Sequence, residues 1–487
     1  MDENSIFKNP SEVVKEPIPS ENNPIVPPQS SVTPPPVPPP APPSTPPYQP
    51  EEIREGSSIF SKIFKIILGF AFVSVIGYVA ANFILPRFFP PSEENKVMLT
   101  YWGIWEEGEQ IQPVIEEFEK QNPNIKVEYT KQDINEYKER LVTRSNNGNG
   151  PDIFSFHNTW VPMLSDLLLP LPSDVISKED FAANYYPVIQ TDLIRDGAIY
   201  GMPVQIDTLN LFINKDLFDA AGLNPPTTWI EFSNYSRQLT VKDESGKIIT
   251  SGAAMGTFAN VDNAPEIVSM LFVQNGVNLR EISSTQEAAS DALSFYTSFA
   301  LPPYNVWDKT LDQSVRMFAN GSLAMYFGYS WDYFAIKSIN PNLSFEIYPV
   351  PHLPDQNKTI ASYWAEGVLS KSRHQKEALA FIKHLTSKES LQKLYAEEAK
   401  VRNFGEPYPR IDMAESLSNS VVYPFVKSAS FAVSTYFADG TFDNGLNANA
   451  NFHLETAVNS ILAGESPQSA AAALSEGVSQ VLTEYGL

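Results

Sequence analysis

Nine side chains in this sequence have the chemistry that binds a polyhydroxylated molecule such as a sugar. Indole and phenol rings offer flat faces on which the apolar face of a sugar ring stacks, whereas carboxylates and amides form paired hydrogen bonds with hydroxyl groups. Open α/β sheets present their ligands at the ends of strands, and these residues flank segments that are predicted to be strands. We therefore predict that ligand contacts come from Trp105, Asn158, Thr159, Trp160, Asp207, Trp331, Tyr363, Trp364 and Glu366.

Each of these side chains also has an interpretation that involves no ligand. Tryptophan is often largely buried, so core packing is the alternative for every indole in the set. For Asp207, which interrupts an apolar stretch, the alternative is a hydrogen bond to backbone at a hinge. The sequence leaves both interpretations open.

No reaction centre is recognisable in the sequence. It lacks the hydrolase motif G-x-S-x-G, the phosphate-binding motif G-x-x-x-x-G-K-[ST] and the zinc motif H-E-x-x-H. Its 5 histidines do not pair at metal-ligand spacing. The acidic, glycine-rich residues 439–445 lack the ligand register of a calcium loop, and a solvated turn is predicted there. We expect no enzyme activity, no cofactor and no metal.

The composition bounds the fold and excludes several partners. The chain has 487 residues, of which 43% are hydrophobic, and this is enough apolar material for two lobes. A formal net charge of −23 argues against nucleic acid as a partner, because its phosphates would be repelled. Without cysteine there is no disulfide and no lipidated N-terminal cysteine, so attachment to a cell surface would need another anchor.

The first 96 residues predict a tail, a membrane anchor and a tether. Residues 1–57 hold 17 of the 41 prolines, which predicts a disordered, proline-rich cytoplasmic tail. An uncharged stretch of about 30 Å as a helix then predicts a retained transmembrane signal anchor over residues 58–86, followed by a tether over residues 87–96. Cleavage at residues 79–81 is disfavoured by the long charged segment before them. The excess of basic residues before the anchor favours a cytoplasmic N-terminus and an extracytoplasmic domain.

Hydrophobic patterns after residue 96 alternate between strand and helix. Residues 97–102 (VMLTYW) and 125–130 are apolar runs typical of buried strands, and the apolar residues of 111–118 recur at helical spacing. Such a β-α-β unit predicts a parallel sheet that is covered by helices.

The stretch at residues 200–231 has the densest set of local signals. Its first half is apolar at nearly every position apart from four polar residues, which predicts a buried strand that is interrupted where the chain passes between lobes. Asn214 then opens a short helix that Gly222 ends. Thr228 and Glu231 form a capping box that starts the next helix.

The order of these residues resembles the segment that crosses between lobes in extracellular solute-binding proteins of the maltose-binding type. The stretches at family spacing are Tyr200-Gly201, Pro203, Asn214-Lys215-Asp216-Leu217-Phe218, Ala221-Gly222-Leu223 and Pro226-Thr227-Thr228-Trp229, with Ile213 where tyrosine is usual. Further matching stretches are NGPDIFSF at 149–156, FANGSLAMY at 318–326 and EALAFIKHLTSKE at 377–389. The resemblance covers the chain from residue 96 to residue 487.

The resemblance implies an α/β, two-lobed periplasmic-binding-protein fold (type II) with three crossings between the lobes. Lobe 1 would comprise residues 97–205 and 353–402, and lobe 2 would comprise residues 206–352 and 403–487. In this family the loops that carry the nine candidate residues contact the ligand. A carboxylate at the position of Asp207 is used by some sugar-binding members.

The function implied by the resemblance is that of a membrane-anchored, extracytoplasmic solute-binding protein of an ABC-type importer. It would bind a small ligand, with a sugar or oligosaccharide favoured, in the cleft between the lobes by hinge closure. Permease subunits of the transporter are the implied partners, and a monomer is expected. Two alternatives remain: a surface glycosidase, because 57 acidic residues could supply a carboxylate pair, and a sensor-type binding domain that is not coupled to transport.

Overall fold

The computed structural model of this chain describes residues 96–303 and 305–487. The predicted tail and anchor, and all but the last residue of the predicted tether, lie outside the described residues. Within the described ranges, no helix is both long enough and apolar enough to cross a bilayer. The anchor therefore stays a prediction from the sequence.

The strands of the described part are short and are spread over the whole of it. In chain order they are β1 (Val97–Gly103), β2 (Ile125–Lys131), β3 (Ile153–His157), β4 (Ile194–Arg195), β5 (Ala198–Ile199), β6 (Met202–Pro203), β7 (Asp207–Thr208), β8 (Asn210–Asn214), β9 (Val241–Lys242), β10 (Ile248–Ala253), β11 (Leu323–Gly328), β12 (Phe345–Tyr348), β13 (Thr359–Ser362), β14 (Trp364–Val368) and β15 (Ala432–Val433).

Helices connect many of these strands, and the last two elements of the chain are helices. In order they are α1 (Gly108–Gln121), α2 (Tyr137–Asn146), α3 (Val161–Leu164), α4 (Lys178–Asn184), α5 (Pro187–Leu193), α6 (Lys215–Ala221), α7 (Trp229–Gln238), α8 (Ala264–Gln274), α9 (Gln286–Ser298), α10 (Ser314–Ala319), α11 (Ser330–Ile339), α12 (Gln375–Leu385), α13 (Lys388–Glu398), α14 (Tyr423–Ser428), α15 (Leu446–Leu462) and α16 (Pro467–Glu484).

Two five-stranded sheets organise the fold. The first has the order β2-β1-β3-β14-β6, in which β1, β2 and β3 are parallel and β14 runs antiparallel to β3. The second has the order β12-β8-β11-β10-β9, in which β8 is antiparallel to both of its neighbours. The β-α-β unit predicted at the start of the domain is confirmed by β1, α1 and β2.

Three stretches of chain run side by side between the two sheets; we call them the joint and define it as residues 206–209, residues 359–362 and Pro407. In the joint, β7 pairs with β13, and β13 pairs with β15. The backbone N–H of Ile206 donates to the carbonyl of Pro407 at 3.0 Å, and that of Leu209 donates to the carbonyl of Ile360 at 2.8 Å. The polar interruption predicted in the strand at residues 202–213 is therefore the point where the chain leaves one sheet for the other.

Local sequence signals explain why helices begin and end beside the joint. The hydroxyl of Thr228 accepts a hydrogen bond from the N–H of Glu231 at 3.2 Å, and the Glu231 carboxylate accepts one from the N–H of Thr228 at 3.1 Å. This is the predicted capping box. Gly222 ends α6 with φ of 65°, a left-handed conformation that glycine adopts without strain.

Candidate functional site

One edge of the first sheet faces the joint and carries most of the predicted contacts. The parallel strands β1 and β3 end there, and Trp105 and Asn158 follow them. Because β14 is antiparallel, its first residue, Trp364, lies at the same edge and pairs with His157. The carboxyl ends of the parallel strands therefore place an indole and an amide next to the joint.

Three indoles at this edge form one aromatic cluster. The ring of Trp364 makes edge contacts with Trp105 and Trp160, with ring centroids 5.7 Å and 5.1 Å apart. Trp160 is fully buried and stacks on Tyr137, whereas Trp105 is 46% exposed. The structure brings the three together but leaves Trp105 as the indole with an open face, and Trp160 occupies a core position.

The amide and phenol at this edge belong to a polar cluster that the sequence reasoning missed. The Asp192 carboxylate accepts hydrogen bonds from Asn158 Nδ2 (2.9 Å), Tyr363 Oη (2.8 Å) and Ser434 Oγ (2.5 Å). Burial raises the pKa of Asp192 to about 6, and the three donors act in the opposite direction. Thr159 Oγ1 donates to Asn447 Oδ1 at 2.9 Å, which links the first sheet to the start of α15.

A cavity of about 820 Å³ opens beside this polar cluster. Its lining comes from several separate segments and includes Asn158, Thr159, Asp192, Arg195, Arg280, Ser434 and Tyr436. Two predicted contacts line the cavity, whereas Trp105 and Trp331 do not. The nine predicted residues therefore fall in more than one place around the joint.

The second sheet presents its own edge to the joint. Strand β8 begins at Asn210, directly after the joint, and Asn210 pairs with Gly328 at the end of β11. Trp331 follows in the first turn of α11, where it is 44% exposed and stacks on Tyr329 with ring centroids 4.3 Å apart. An exposed indole thus lies beside the joint on this side as well.

Asp207 connects the joint to this second edge. It is buried, and its two carboxylate oxygens accept hydrogen bonds from the N–H of Ser330 and the N–H of Thr208, each at 2.8 Å. Burial raises the pKa of Asp207 well above its usual value. These contacts are hydrogen bonds to backbone, as in the alternative that involves no ligand. The role of Asp207 as a ligand contact stays a prediction.

Glu366 is a buried carboxyl group on β14, which lies between β3 and β6 in the first sheet. Its Oε1 accepts a hydrogen bond from Ser155 Oγ at 2.8 Å, and its Oε2 has no partner among the described residues. Burial, together with the nearby charge of Glu106, raises the pKa of Glu366 to about 8. Glu366 is buried, with 1% of its surface exposed.

We expect Glu366→Gln to reduce the pH dependence of stability. Because the folded pKa is raised, the favourable contribution of the protonated group is complete below its unfolded pKa and is lost as pH rises through 8. The wild-type free energy of unfolding should therefore fall by up to ~1.4 kcal/mol per pH unit between the unfolded pKa of Glu366 and pH 8. Glutamine cannot ionise, so this part of the pH dependence should be absent from the variant. Urea unfolding of both proteins at about pH 5 and about pH 8 measures the difference.

The matched control for this measurement is Glu116→Gln, because Glu116 is an exposed carboxylate on α1. Its pH profile should follow that of the wild type. An unchanged profile for Glu366→Gln would show that the group is already ionised in the folded protein.

The described residues contain no group of three or more acidic or histidine side chains placed to hold a metal ion. The predicted solvated turn at residues 439–445 is wrong in one respect. Thr441 and Asp443 are buried there, and the Asp443 carboxylate accepts hydrogen bonds from the N–H groups of Asn447 and Ala448 at the start of α15. The sequence reasoning missed this helix cap because the capping residue lies in a glycine-rich segment.

The family described as bacterial extracellular solute-binding protein matches residues 102–392 of this sequence. That span is more than half of the chain. This chain belongs to the bacterial extracellular solute-binding proteins. The resemblance to the maltose-binding type that was drawn from residues 200–231 is confirmed.

Similar proteins support this membership along most of the described chain. The multiple sugar-binding protein of Streptococcus mutans is 24% identical over 326 residues, which cover 62% of this chain and 74% of that protein. A solute-binding protein from Thermotoga lettingae, bound with α-D-tagatose, superposes with a TM-score of 0.61 and 24% identity over 80% of this chain and 100% of that one. A cyclo/maltodextrin-binding protein in complex with maltotetraose gives a TM-score of 0.65 and 18% identity over 80% and 98%.

These similarities establish the fold of this solute-binding protein as the two-lobed α/β periplasmic-binding fold. The family and the relatives named above are binding proteins rather than enzymes. The two sheets and the joint between them are the elements by which this family member positions Trp105 and Trp331.

Proposed function

We propose that this protein is a membrane-anchored, extracytoplasmic solute-binding protein of an ABC-type importer that binds a sugar or oligosaccharide between two lobes. The observation that carries the proposal is the pair of exposed indoles, Trp105 and Trp331, at the two sheet edges that adjoin the joint. Exposed tryptophan faces are costly to leave in water and suit the apolar face of a sugar ring. Relatives that are named for sugars and maltodextrins support the ligand class.

Hinge closure about the joint is the proposed mechanism. With lobe 1 as residues 97–205 and 353–402 and lobe 2 as residues 206–352 and 403–487, the chain crosses three times, close to the joint. A ligand that touches both sheet edges gains contacts from both only when the lobes approach each other. Because such a ligand binds the closed state more tightly than the open state, it shifts the population towards closure.

The remaining parts of the proposal concern the surroundings of the binding domain. The anchor at residues 58–86 would hold the domain on the extracytoplasmic side, with the tail at residues 1–57 in the cytoplasm. Permease subunits of the importer would receive the closed, loaded domain, and the protein would act as a monomer. The nine candidate residues of the sequence are the proposed ligand contacts.

Isothermal titration calorimetry on the full chain tests the proposal. The protein is held in a detergent without a sugar headgroup and is titrated with a panel of neutral disaccharides and oligosaccharides. We expect one of them to bind with a dissociation constant of roughly 1 μM or less, which is about −8 kcal/mol. Binding of a peptide or a polyamine with no heat from any carbohydrate would contradict the proposed ligand class, and turnover of the glycans would favour the glycosidase alternative.

A further inference from the structure

Ser434 forms a hydrogen-bonded bridge between the two proposed lobes. It follows β15 and precedes Thr435, whose Oγ1 lies 3.1 Å from Oγ of Ser269 on α8, so this segment is attached to lobe 2. On the side of lobe 1, the hydroxyl of Ser434 donates to Asp192 Oδ2 at 2.5 Å and accepts a hydrogen bond from Asn158 Nδ2 at 3.0 Å. One hydroxyl group therefore joins both lobes.

The carboxylate in this bridge has its other partners within lobe 1. Asp192 Oδ2 also accepts hydrogen bonds from Asn158 Nδ2 at 2.9 Å and from Tyr363 Oη at 2.8 Å. Both of these donors lie in the proposed lobe 1. Removal of the Ser434 hydroxyl would therefore leave the carboxylate hydrogen-bonded inside lobe 1 and would break only the contact between the lobes.

A second hydrogen bond joins the lobes on the same side. Thr159 Oγ1 donates to Asn447 Oδ1 at 2.9 Å, and Asn447 Nδ2 donates to the carbonyl of Tyr436 at 3.0 Å. Tyr436 lies two residues beyond Ser434, so the two bridges are close together along the chain of lobe 2. We call the cross-lobe hydrogen bonds of Ser434 and Asn447 the latch.

The latch and the indole of lobe 1 lie on opposite faces of the chain where β13 meets β14. Tyr363 and Trp364 are consecutive residues at this junction, and successive side chains of an extended chain point to opposite faces. The hydroxyl of Tyr363 reaches Asp192, whereas the ring of Trp364 contacts that of Trp105, with centroids 5.7 Å apart. Trp105 is therefore on the face away from the latch.

The order of the strands at the joint separates the latch from the second indole as well. Strand β13 lies between β15 and β7. Ser434 follows β15 at one edge. At the other edge, Asp207 of β7 accepts a hydrogen bond from the N–H of Ser330, the neighbour of Trp331. The joint therefore separates the latch from both exposed indoles.

Closure on the side of the indoles would open the latch. A rotation about the joint that brings the two indoles towards each other moves the lobes apart on the opposite side. The latch residues Asn158, Asp192 and Ser434 line the cavity of about 820 Å³, so water reaches their polar groups once the contact is broken. The latch therefore stabilises the state in which the indoles are apart, by the difference between its hydrogen bonds and those formed with water.

Resting on the proposed function and its hinge, we infer that the latch opposes closure and thereby lowers the affinity for the ligand. When only the closed state gives a ligand contacts from both lobes, the apparent dissociation constant is the intrinsic constant divided by the closed fraction. Ser434 is not among the nine proposed ligand contacts. It is a positioning residue that acts on binding through the arrangement of the lobes.

Removal of the hydroxyl tests the inference, because the expected change is a gain of affinity. The full chain is titrated in a calorimeter with neutral sugars that include maltose, cellobiose and raffinose. Ser434→Ala should bind the preferred sugar about 10-fold more tightly than the wild type, since the open state loses a hydrogen bond to a charged group. The titration is made at about pH 8, where Asp192, whose pKa is about 6, is ionised. Damage to the fold would weaken binding, so it cannot imitate this result.

Two variants control the measurement. Ser434→Thr keeps a hydroxyl group and should retain the wild-type affinity. Ser479→Ala removes the hydroxyl of an exposed serine on α16 in lobe 2 and should also behave as the wild type. An equal gain of affinity in Ser479→Ala would overturn the role assigned to the latch.

A distance measurement tests the latch without any ligand. The sequence contains no cysteine, so spin labels attach only to introduced cysteines. Lys120→Cys on α1 of lobe 1 and Asp219→Cys on α6 of lobe 2 replace exposed side chains. Pulsed electron paramagnetic resonance on the ligand-free full chain should give a distribution of label distances in Ser434→Ala that is displaced from that of the wild type.

The outcomes separate this inference from the proposed function. Tighter binding together with a displaced ligand-free distribution supports both. An unchanged or weaker affinity with an unchanged distribution overturns the latch and leaves the carbohydrate proposal standing. A displaced distribution in a protein that binds no sugar supports the latch and contradicts the proposed ligand class. Absence of both sugar binding and displacement overturns both.

Discussion

Replacing Trp105 and Trp331 together by alanine is expected to weaken carbohydrate binding by roughly 100-fold or more. Each indole lies at the edge of a different sheet, so the double variant removes a stacking face from each side of the joint. Because the side chains are 46% and 44% exposed, the loss should fall on binding rather than on folding. Titration calorimetry gives the affinity, and urea unfolding verifies that the free energy of unfolding is nearly unchanged.

The control for this pair lies on the same helix as Trp331. Ile339, the last residue of α11, has 46% of its surface exposed, so Ile339→Ala removes an apolar side chain of similar exposure away from the joint. Conservative replacement of each indole by phenylalanine should retain part of the affinity, since a flat ring remains. Wild-type affinity in the double alanine variant would place the ligand elsewhere, with the cavity next to Asp192 as the next place to search.

The fold was accessible from the sequence because its main signals are local. The capping box at Thr228 and the glycine at 222 act within four residues of the helix end that they define. The apolar period at residues 111–118 gives the buried face of α1, where Ile111, Val114, Ile115 and Phe118 are buried. Their order along the chain then sufficed to indicate the family. None of these features requires knowledge of a distant partner.

The site was less accessible because its contacts join distant parts of the chain. Asp192 is separated in sequence by 171 positions from Tyr363 and by 242 positions from Ser434, its hydrogen-bond partners. No local pattern at residue 192 predicts either contact. Residue type also did not distinguish Trp160, which is core, from Trp105, which is exposed. That difference depends on packing against distant residues, since Trp160 has ring contacts with both Tyr137 and Trp364.

The sequence also does not reveal which carboxyl groups have a raised pKa in the folded protein. A sequence count treats Glu266 and Glu366 as ionised, whereas burial raises the pKa of each to about 8. For Glu266 one signal was available, since it is the only charged residue in the otherwise apolar and weakly polar helix α8 (APEIVSMLFVQ). A buried carboxyl group in such a helix needs a partner, and Glu266 accepts a hydrogen bond from the N–H of Asp439 at 2.6 Å.

Replacing Asp207 by alanine is expected to lower the free energy of unfolding by about 2 to 5 kcal/mol. The change leaves the buried N–H groups of Ser330 and Thr208 without their acceptor, and a buried donor without a partner loses its full hydration free energy. Asp207→Asn should have a smaller effect, since one amide oxygen still accepts. Asp174→Ala, at an exposed position, should leave stability nearly unchanged, and urea unfolding of the full chain compares the three.

The same variants distinguish the two roles that the sequence left open for Asp207. If the carboxylate contacts the ligand, Asp207→Asn should lose affinity beyond what its loss of stability explains, because the ligand hydroxyls then face an amide. If it only holds the start of α11 against the joint, the folded Asp207→Asn protein should bind with nearly wild-type affinity, whereas Asp207→Ala should bind weakly because Trp331, the neighbour of Ser330, is no longer fixed. An affinity loss that is equal in both variants would assign the carboxylate to the ligand, and one confined to alanine would assign it to the position of the indole.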